Sequence, residues 1–297
     1  MRARPTATSV SGLTLVGLLV LSACGRARDQ DVKAPDSQAP LPAVEKDVPY
    51  ADGGDQHMLD LYLPDKKGFT TVVFTYGGGW HTGSRKSVTA IGDKLQSLGY
   101  ACALPSHRLA PKDKFPAQAE DIALAFAWVK KNIEAKGGDP KRLVLMGHSS
   151  GAYLSLLLAT DPKYLATHQL SPTDIAGVVG LSTPVDLEPR KDKKGFGDAL
   201  LAGKGADVFA RDAALLKAAS PIQHVSKDLP PTLLVVGEKD FPMLERDARA
   251  FAEKAKGVGR EVTTFVAKGC DHMAVVRSLL EDGSAVREQV LEFLRKL

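Results

Sequence analysis

The segment Gly147-His148-Ser149-Ser150-Gly151 follows the apolar run Arg142–Met146 and opens a helix-like run, Ala152–Thr160. A serine at a sharp strand-to-helix turn is pushed out at the top of a sheet, and the glycines two before and two after it relieve the crowding. The helix that follows offers an amide N–H to developing negative charge. A second segment, Tyr76-Gly77-Gly78-Gly79-Trp80, comes directly after the run Thr70–Thr75, and its glycines let backbone amides approach a substrate oxygen. Together the two turns make the halves of an oxyanion hole, with the amides of Gly78, Gly79 and Ser150 as donors. The chemistry is acyl transfer through a serine nucleophile, Ser149, and it requires an acid and a base in the order Ser, Asp/Glu, His. Gly237-Glu238-Lys239-Asp240 follows the run Thr232–Val236, and Gly269-Cys270-Asp271-His272 follows Glu261–Val266. His272 is expected as general base, and Asp240 as the carboxylate that orients it. Glu238 is the alternative acid. Asp271, next to His272, is expected to point away and cap the following helix.

The other candidate residues carry less. His148 fills the free position of the serine turn. His57, His81, His107, His168 and His224 show no metal-ligand spacing, so no metal is expected. No dinucleotide or phosphate fingerprint is present, and no cofactor is expected. Trp80 reads as core, and His81 as either pocket wall or bystander. Arg190-Lys191-Asp192-Lys193-Lys194 reads as a solvated loop.

To position these residues the chain must alternate strands and helices. β-rich runs lie at Met58–Leu63, Thr70–Tyr76, Tyr100–Leu104, Arg142–Met146, Ile175–Leu181, Thr232–Val236 and Glu261–Val266. Several are continuously apolar, as strands covered on both faces are. Between them lie amphipathic stretches such as Ala117–Ile133, with Ile122, Phe126 and Val129 at helical spacing. This predicts an α/β class, with a mostly parallel central sheet and helices on both faces. A small insert is expected between the strand ending near Leu181 and the one starting near Thr232. Its one amphipathic piece, Val208–Ala219, is expected to cover the sheet.

The 297 residues are 44% hydrophobic and 25% charged, enough for one large domain with a sizeable core. The net charge of +4 falls to +2 without Arg2 and Arg4, and no stretch is basic enough to suggest nucleic acid. Arg2 and Arg4 precede an apolar stretch, Leu13–Leu21, and then Leu21-Ser22-Ala23-Cys24, which is similar to the lipobox of bacterial lipoproteins. Residues 1–23 are therefore expected to be a signal peptide, with Cys24 the lipidated new N-terminus and a membrane partner through that anchor. An uncleaved span is disfavoured because the apolar part is short. Such a protein belongs in the cell envelope, at the outer membrane where the host has one. Residues 24–46 are polar and Pro-bearing and read as a flexible tether, with the catalytic domain at 47–297. Export permits a disulfide between Cys102 and Cys270; two small buried thiols are the other reading.

From Asp47 onward the chain resembles the α/β-hydrolase carboxylesterases related to hormone-sensitive lipase and to bacterial feruloyl-type esterases. The resemblance rests on the two Gly-bearing turns and on Arg108-Leu109-Ala110-Pro111, Phe115-Pro116-Ala117-Gln118 and Glu120-Asp121. It rests also on Leu59-Asp60-Leu61-Tyr62-Leu63-Pro64 and Pro230-Pro231-Thr232-Leu233. It implies an α/β-hydrolase fold and a small-molecule ester as substrate, cleaved through an acyl-enzyme on Ser149. Two positions depart from the family pattern: Tyr76 stands where His is usual, and His107 where Tyr is usual. Short acyl groups are expected, because the insert is too charged over Glu188–Asp198 to build an apolar lid. An arylformamidase or other amide hydrolase would use the same machinery, and a non-catalytic binding lipoprotein is the third reading.

Overall fold

A computed structural model describes residues 43–192, 194–203 and 205–297. The expected leader, Cys24 and the tether up to residue 42 lie outside the described residues. The strands are β1 (Ala43–Pro49), β2 (Met58–Leu63), β3 (Phe69–Thr75), β4 (Ala101–Pro105), β5 (Gly138–His148), β6 (Gly177–Leu181), β7 (Thr232–Gly237) and β8 (Val262–Ala267). The helices are α1 (Thr89–Ser97), α2 (Ala117–Asn132), α3 (Ser150–Thr160), α4 (Lys163–Ala166), α5 (Phe196–Ala202), α6 (Gly205–Val208), α7 (Ala213–Ala218), α8 (Pro242–Gly257), α9 (His272–Arg277) and α10 (Ala285–Lys296).

The strands form one sheet in the order β1-β2-β4-β3-β5-β6-β7-β8. β2 runs antiparallel to both β1 and β4, and the other pairings are parallel. This is the α/β-hydrolase arrangement. Side chains alternate across it, as strand geometry requires. Val73, Leu143, Leu145 and Leu234 join one apolar layer with Ile122 and Phe126 of α2, Leu154 of α3 and Phe251 of α8. Val72, Phe74, Val144, Met146 and Val235 join the other with Ile91 of α1, Val275 of α9 and Val290 of α10. Every residue of α3 is buried, which explains its nearly uniform apolar sequence after the serine turn.

β1 corrects one expectation. The tether does not reach residue 46, because Ala43–Pro49 pairs with β2. Its sequence, AVEKDVP, is charged and ends in Pro, and it is mostly exposed. Those features protect a sheet edge, and they also hide the strand from a search for apolar runs.

The buried residues of the insert, Phe209, Leu216 and Ala219, join the same apolar layer as Val73, Leu143 and Leu145 of the sheet. The Phe209 ring lies 5.3 Å from Trp80, and the Tyr153 hydroxyl donates to the Ala219 carbonyl at 2.9 Å. Cys102 and Cys270 are both free thiols, so they form no disulfide.

Candidate active site

The serine turn is sterically forced. A Cβ on Gly147 would come within 2.5 Å of the Gly151 carbonyl carbon, and one on Gly151 within 2.2 Å of the Thr75 carbonyl oxygen. Only glycine fits at either place. Between them Ser149 adopts φ 54° and ψ −121°, a conformation held by its amide bonding the Leu181 carbonyl at 2.8 Å.

His272 opens α9, which Asp271 caps by accepting from the Met273 and Ala274 amides, as its position suggests. This brings the three side chains together. His272 Nε2 is 2.9 Å from Ser149 Oγ, and His272 Nδ1 is 2.7 Å from Asp240 Oδ1. The carboxylate can only accept from Nδ1–H, so Nε2 carries the lone pair and the serine hydroxyl donates to it. Asp240 is further held by the Phe241 amide at 2.8 Å and by the Ser182 hydroxyl at 2.5 Å. Burial raises its affinity for protons, but the bonds from His272, Ser182 and the Phe241 amide outweigh that and hold it below the usual carboxylate range. Glu238, the alternative acid, instead accepts from the Gly269 amide at 2.7 Å and steadies the turn ahead of His272.

The glycine loop faces the serine. Gly78 and Gly79 have φ 145° and 61°, and a Cβ on Gly78 would come within 2.1 Å of the Thr82 carbonyl oxygen. No acceptor among the described residues takes the amides of Gly78, Gly79 or Ser150. Gly78 and Gly79 line the adjacent cavity; Ser150, the first residue of α3, is buried and does not. Trp80 sits in the core, edge-on to Tyr153 and Phe209. His81 turns its Nδ1 to the Gly79 carbonyl and stays out of the cavity wall.

The two departures from the family pattern meet each other. The Tyr76 and His107 rings stack at 4.7 Å and 12°, and the Tyr76 hydroxyl accepts from the His107 amide at 3.3 Å. Burial pushes the Tyr76 phenol up to about 12, so it is a neutral brace for the loop. Arg108 and Asp121 form a fork of paired hydrogen bonds nearby, a structural role.

A cavity of about 610 Å³ opens in front of Ser149 and His272. Val88, Ile91, Val276 and Leu280 make its wall largely apolar, and Phe241, 4.8 Å from the His272 ring, and Met273 also line it. Both are half exposed, at 49% and 50%. Three residues of this site carried no functional signal in the sequence: Ser182, His148 and Phe241. Their partners lie 58, 124 and 31 residues away, so spacing could not flag them.

Comparison with known proteins agrees with this architecture. Esterase LipC of Mycobacterium tuberculosis is 32% identical over 230 residues, 74% of this chain and 57% of that protein. Carboxylesterase NlhH of the same organism is 30% identical over 252 residues, 80% of this chain and 77% of that protein. The chain thus spans little more than half the length of LipC. A truncated carbohydrate esterase from gut microbiota superposes with a TM-score of 0.73 at 21% identity, covering 89% of this chain and 99% of that one, which shows the shared fold. The BD-FAE family model matches residues 59–254, a span that holds the glycine loop, the serine turn and Asp240, and the chain belongs to the BD-FAE family.

Proposed function

We propose that this protein is a serine hydrolase of carboxylic esters with short acyl groups. The observation that carries this reading is the unbroken line Asp240–His272–Ser149, with bonds of 2.7 and 2.9 Å, ending on a hydroxyl at an apolar cavity. His272 takes the Ser149 proton as Oγ bonds to the ester carbonyl carbon. The oxyanion forms opposite the free amides of Gly78, Gly79 and Ser150. The carbon–oxygen bond to the alcohol then breaks, and the alkoxide leaves with the proton from His272. Water attacks the acyl-enzyme by the same route and frees the acid and the serine. The names of LipC and NlhH support ester cleavage.

The short-acyl preference rests on the open cavity. Of the segment between β6 and β7, only Phe196 reaches its wall among the described residues, so a long acyl chain would remain largely in water. Export through residues 1–23 and lipidation at Cys24 belong to the same proposal. Detergent partitioning of the wild type, lost on Cys24→Ser, tests that part.

The central test is Ser149→Ala. Fluorophosphonate labelling and p-nitrophenyl butyrate turnover should both vanish, a loss of about 10⁴-fold or more. Retained turnover overturns the assignment. A series of p-nitrophenyl esters should show kcat/KM falling beyond medium chain length; a palmitoyl preference overturns the short-acyl part.

A further inference from the structure

His148 occupies the one variable position of the serine turn, yet its surroundings are specific. It ends β5, and its side chain is buried at 5% exposure. Its Nε2 lies 2.8 Å from the main-chain carbonyl oxygen of His272, 124 residues away. A carbonyl can only accept, so Nε2 carries the proton and donates. On its other side, a Cβ on Gly77 would come within 2.9 Å of the His148 Nδ1, so the ring is seated against the glycine loop. The His148 and His272 rings are 4.8 Å apart at 49°. One side chain thus touches the serine turn, the glycine loop and the backbone of His272.

We propose that His148 is a positioning residue, which sets the separation of Ser149 and His272 by donating a hydrogen bond to the His272 carbonyl. The proposal rests on the serine-hydrolase reading above. Asp240 fixes the His272 ring at Nδ1, but a ring is only as well placed as the backbone that carries it. α9 has six residues and is capped at its start by Asp271, an exposed side chain. The His148 bond ties that helix start to the sheet. The groups facing His148 are His272 and Asp240, and burial keeps its imidazole uncharged down to about pH 4. It therefore holds the base without placing a second positive charge beside the imidazolium formed during turnover.

Ring packing and hydrogen bonding can be separated by substitution. His148→Phe keeps an aromatic ring but has no donor. His148→Gln loses the ring but carries an amide N–H at the distance of Nε2. His148→Asn carries an amide too short to reach. We expect kcat on p-nitrophenyl acetate to fall about 10- to 100-fold in His148→Phe, with KM within about threefold of wild type, as for a base displaced by a fraction of an ångström. His148→Asn should match it, and His148→Gln should stay within about threefold of wild type. Thermal melts establish that each variant is folded, and the Gln-against-Asn pair suffices where Phe does not fold. A Phe variant as active as Gln, or a Gln variant as impaired as Asn, overturns the proposal. Wild-type labelling by a fluorophosphonate keeps the two readings apart. An unlabelled wild type refutes the serine-hydrolase reading, whereas a labelled wild type with equal variants refutes only the role of His148.

Discussion

Two buried polar knots lie in this molecule, one around Arg85 and one around His272, and they differ in what is left unsatisfied. Arg85 is fully buried beside β2 and β4. Its Nε donates to Asp60, its Nη1 to the Asp55 carbonyl and Ser106, and its Nη2 to the Asp47 and Asp55 carboxylates. Each guanidinium N–H has an acceptor, so nothing remains to bind a ligand. Around His272 the bonds run in one direction, from Ser182 and the Phe241 amide onto Asp240, and from His272 onto Asp240. The line then ends on a serine oxygen that faces a cavity. Backbone strain does not distinguish the two. Asp47 in the first knot has φ 53°, and Ser149 and Ser182 in the second have φ 54° and 55°. A saturated knot braces the fold; an open-ended one can do chemistry.

The comparison breaks most easily at its carboxylates. Asp240→Asn keeps the shape of the second knot but removes the charge that fixes the His272 tautomer. Turnover should drop about 10³- to 10⁴-fold, with a melting temperature close to wild type. A drop below tenfold would mean that the line of bonds is structural. Arg85→Met should do the reverse. Among the described residues, Asp60, 3% exposed at its side chain, would keep Lys46 as its only cationic partner. Loss of one member of a buried ion cluster costs about 3–5 kcal/mol, read by urea unfolding. kcat of the folded fraction should change less than about fivefold, because none of the Arg85 partners touches His272. Equal losses of stability and activity would merge the two knots into one.

How much of this was legible in the sequence follows the same division. The serine turn could be read because Gly147 and Gly151 are required sterically by atoms a few residues away or on the neighbouring strand. The apolar strands could be read because both of their faces are covered. β1 could not, since an edge strand is charged where a central one is apolar. Asp240 was preferred over Glu238 although both follow β7, and the structure separates them by the partner each one meets, His272 for Asp240 and the Gly269 amide for Glu238. Ser182 and His148 were illegible for a different reason. Each bonds a residue that the β5-β6-β7-β8 order brings near, and that order is not a local property of the chain.

His148 sharpens the comparison through pH. Burial lowers its imidazole from the ordinary 6.5 to about 4, so between those values the unfolded chain binds a proton that the folded chain refuses. Its contribution is fully present above about pH 6.5 and is lost as pH falls toward 4. A shift of this size corresponds to about 3 kcal/mol. His148→Gln cannot titrate, so its unfolding free energy should decline less between pH 6.5 and 4 than that of wild type. Urea titrations at the two pH values measure this. Parallel declines in the two proteins would mean that His148 titrates normally in the folded state.

The smallest effect isolates strain from bonding at Ser182. This residue is fully buried, has φ 55°, and gives its amide to the Val235 carbonyl at 2.7 Å and its hydroxyl to Asp240. Ser182→Ala removes the hydroxyl but keeps the left-handed backbone, which a side chain occupies at a cost of roughly 1 kcal/mol. It also leaves Asp240 Oδ2 short of a donor in a site where that carboxylate is 1% exposed. Ser182→Gly removes the same hydroxyl and relieves the backbone. The glycine variant should therefore be about 1 kcal/mol more stable than the alanine variant. Both should lose about tenfold in kcat with little change in KM, since each leaves Asp240 equally free to turn. If glycine recovered activity along with stability, the backbone conformation at Ser182 would govern the site, and the hydrogen bond to Asp240 would be incidental to it.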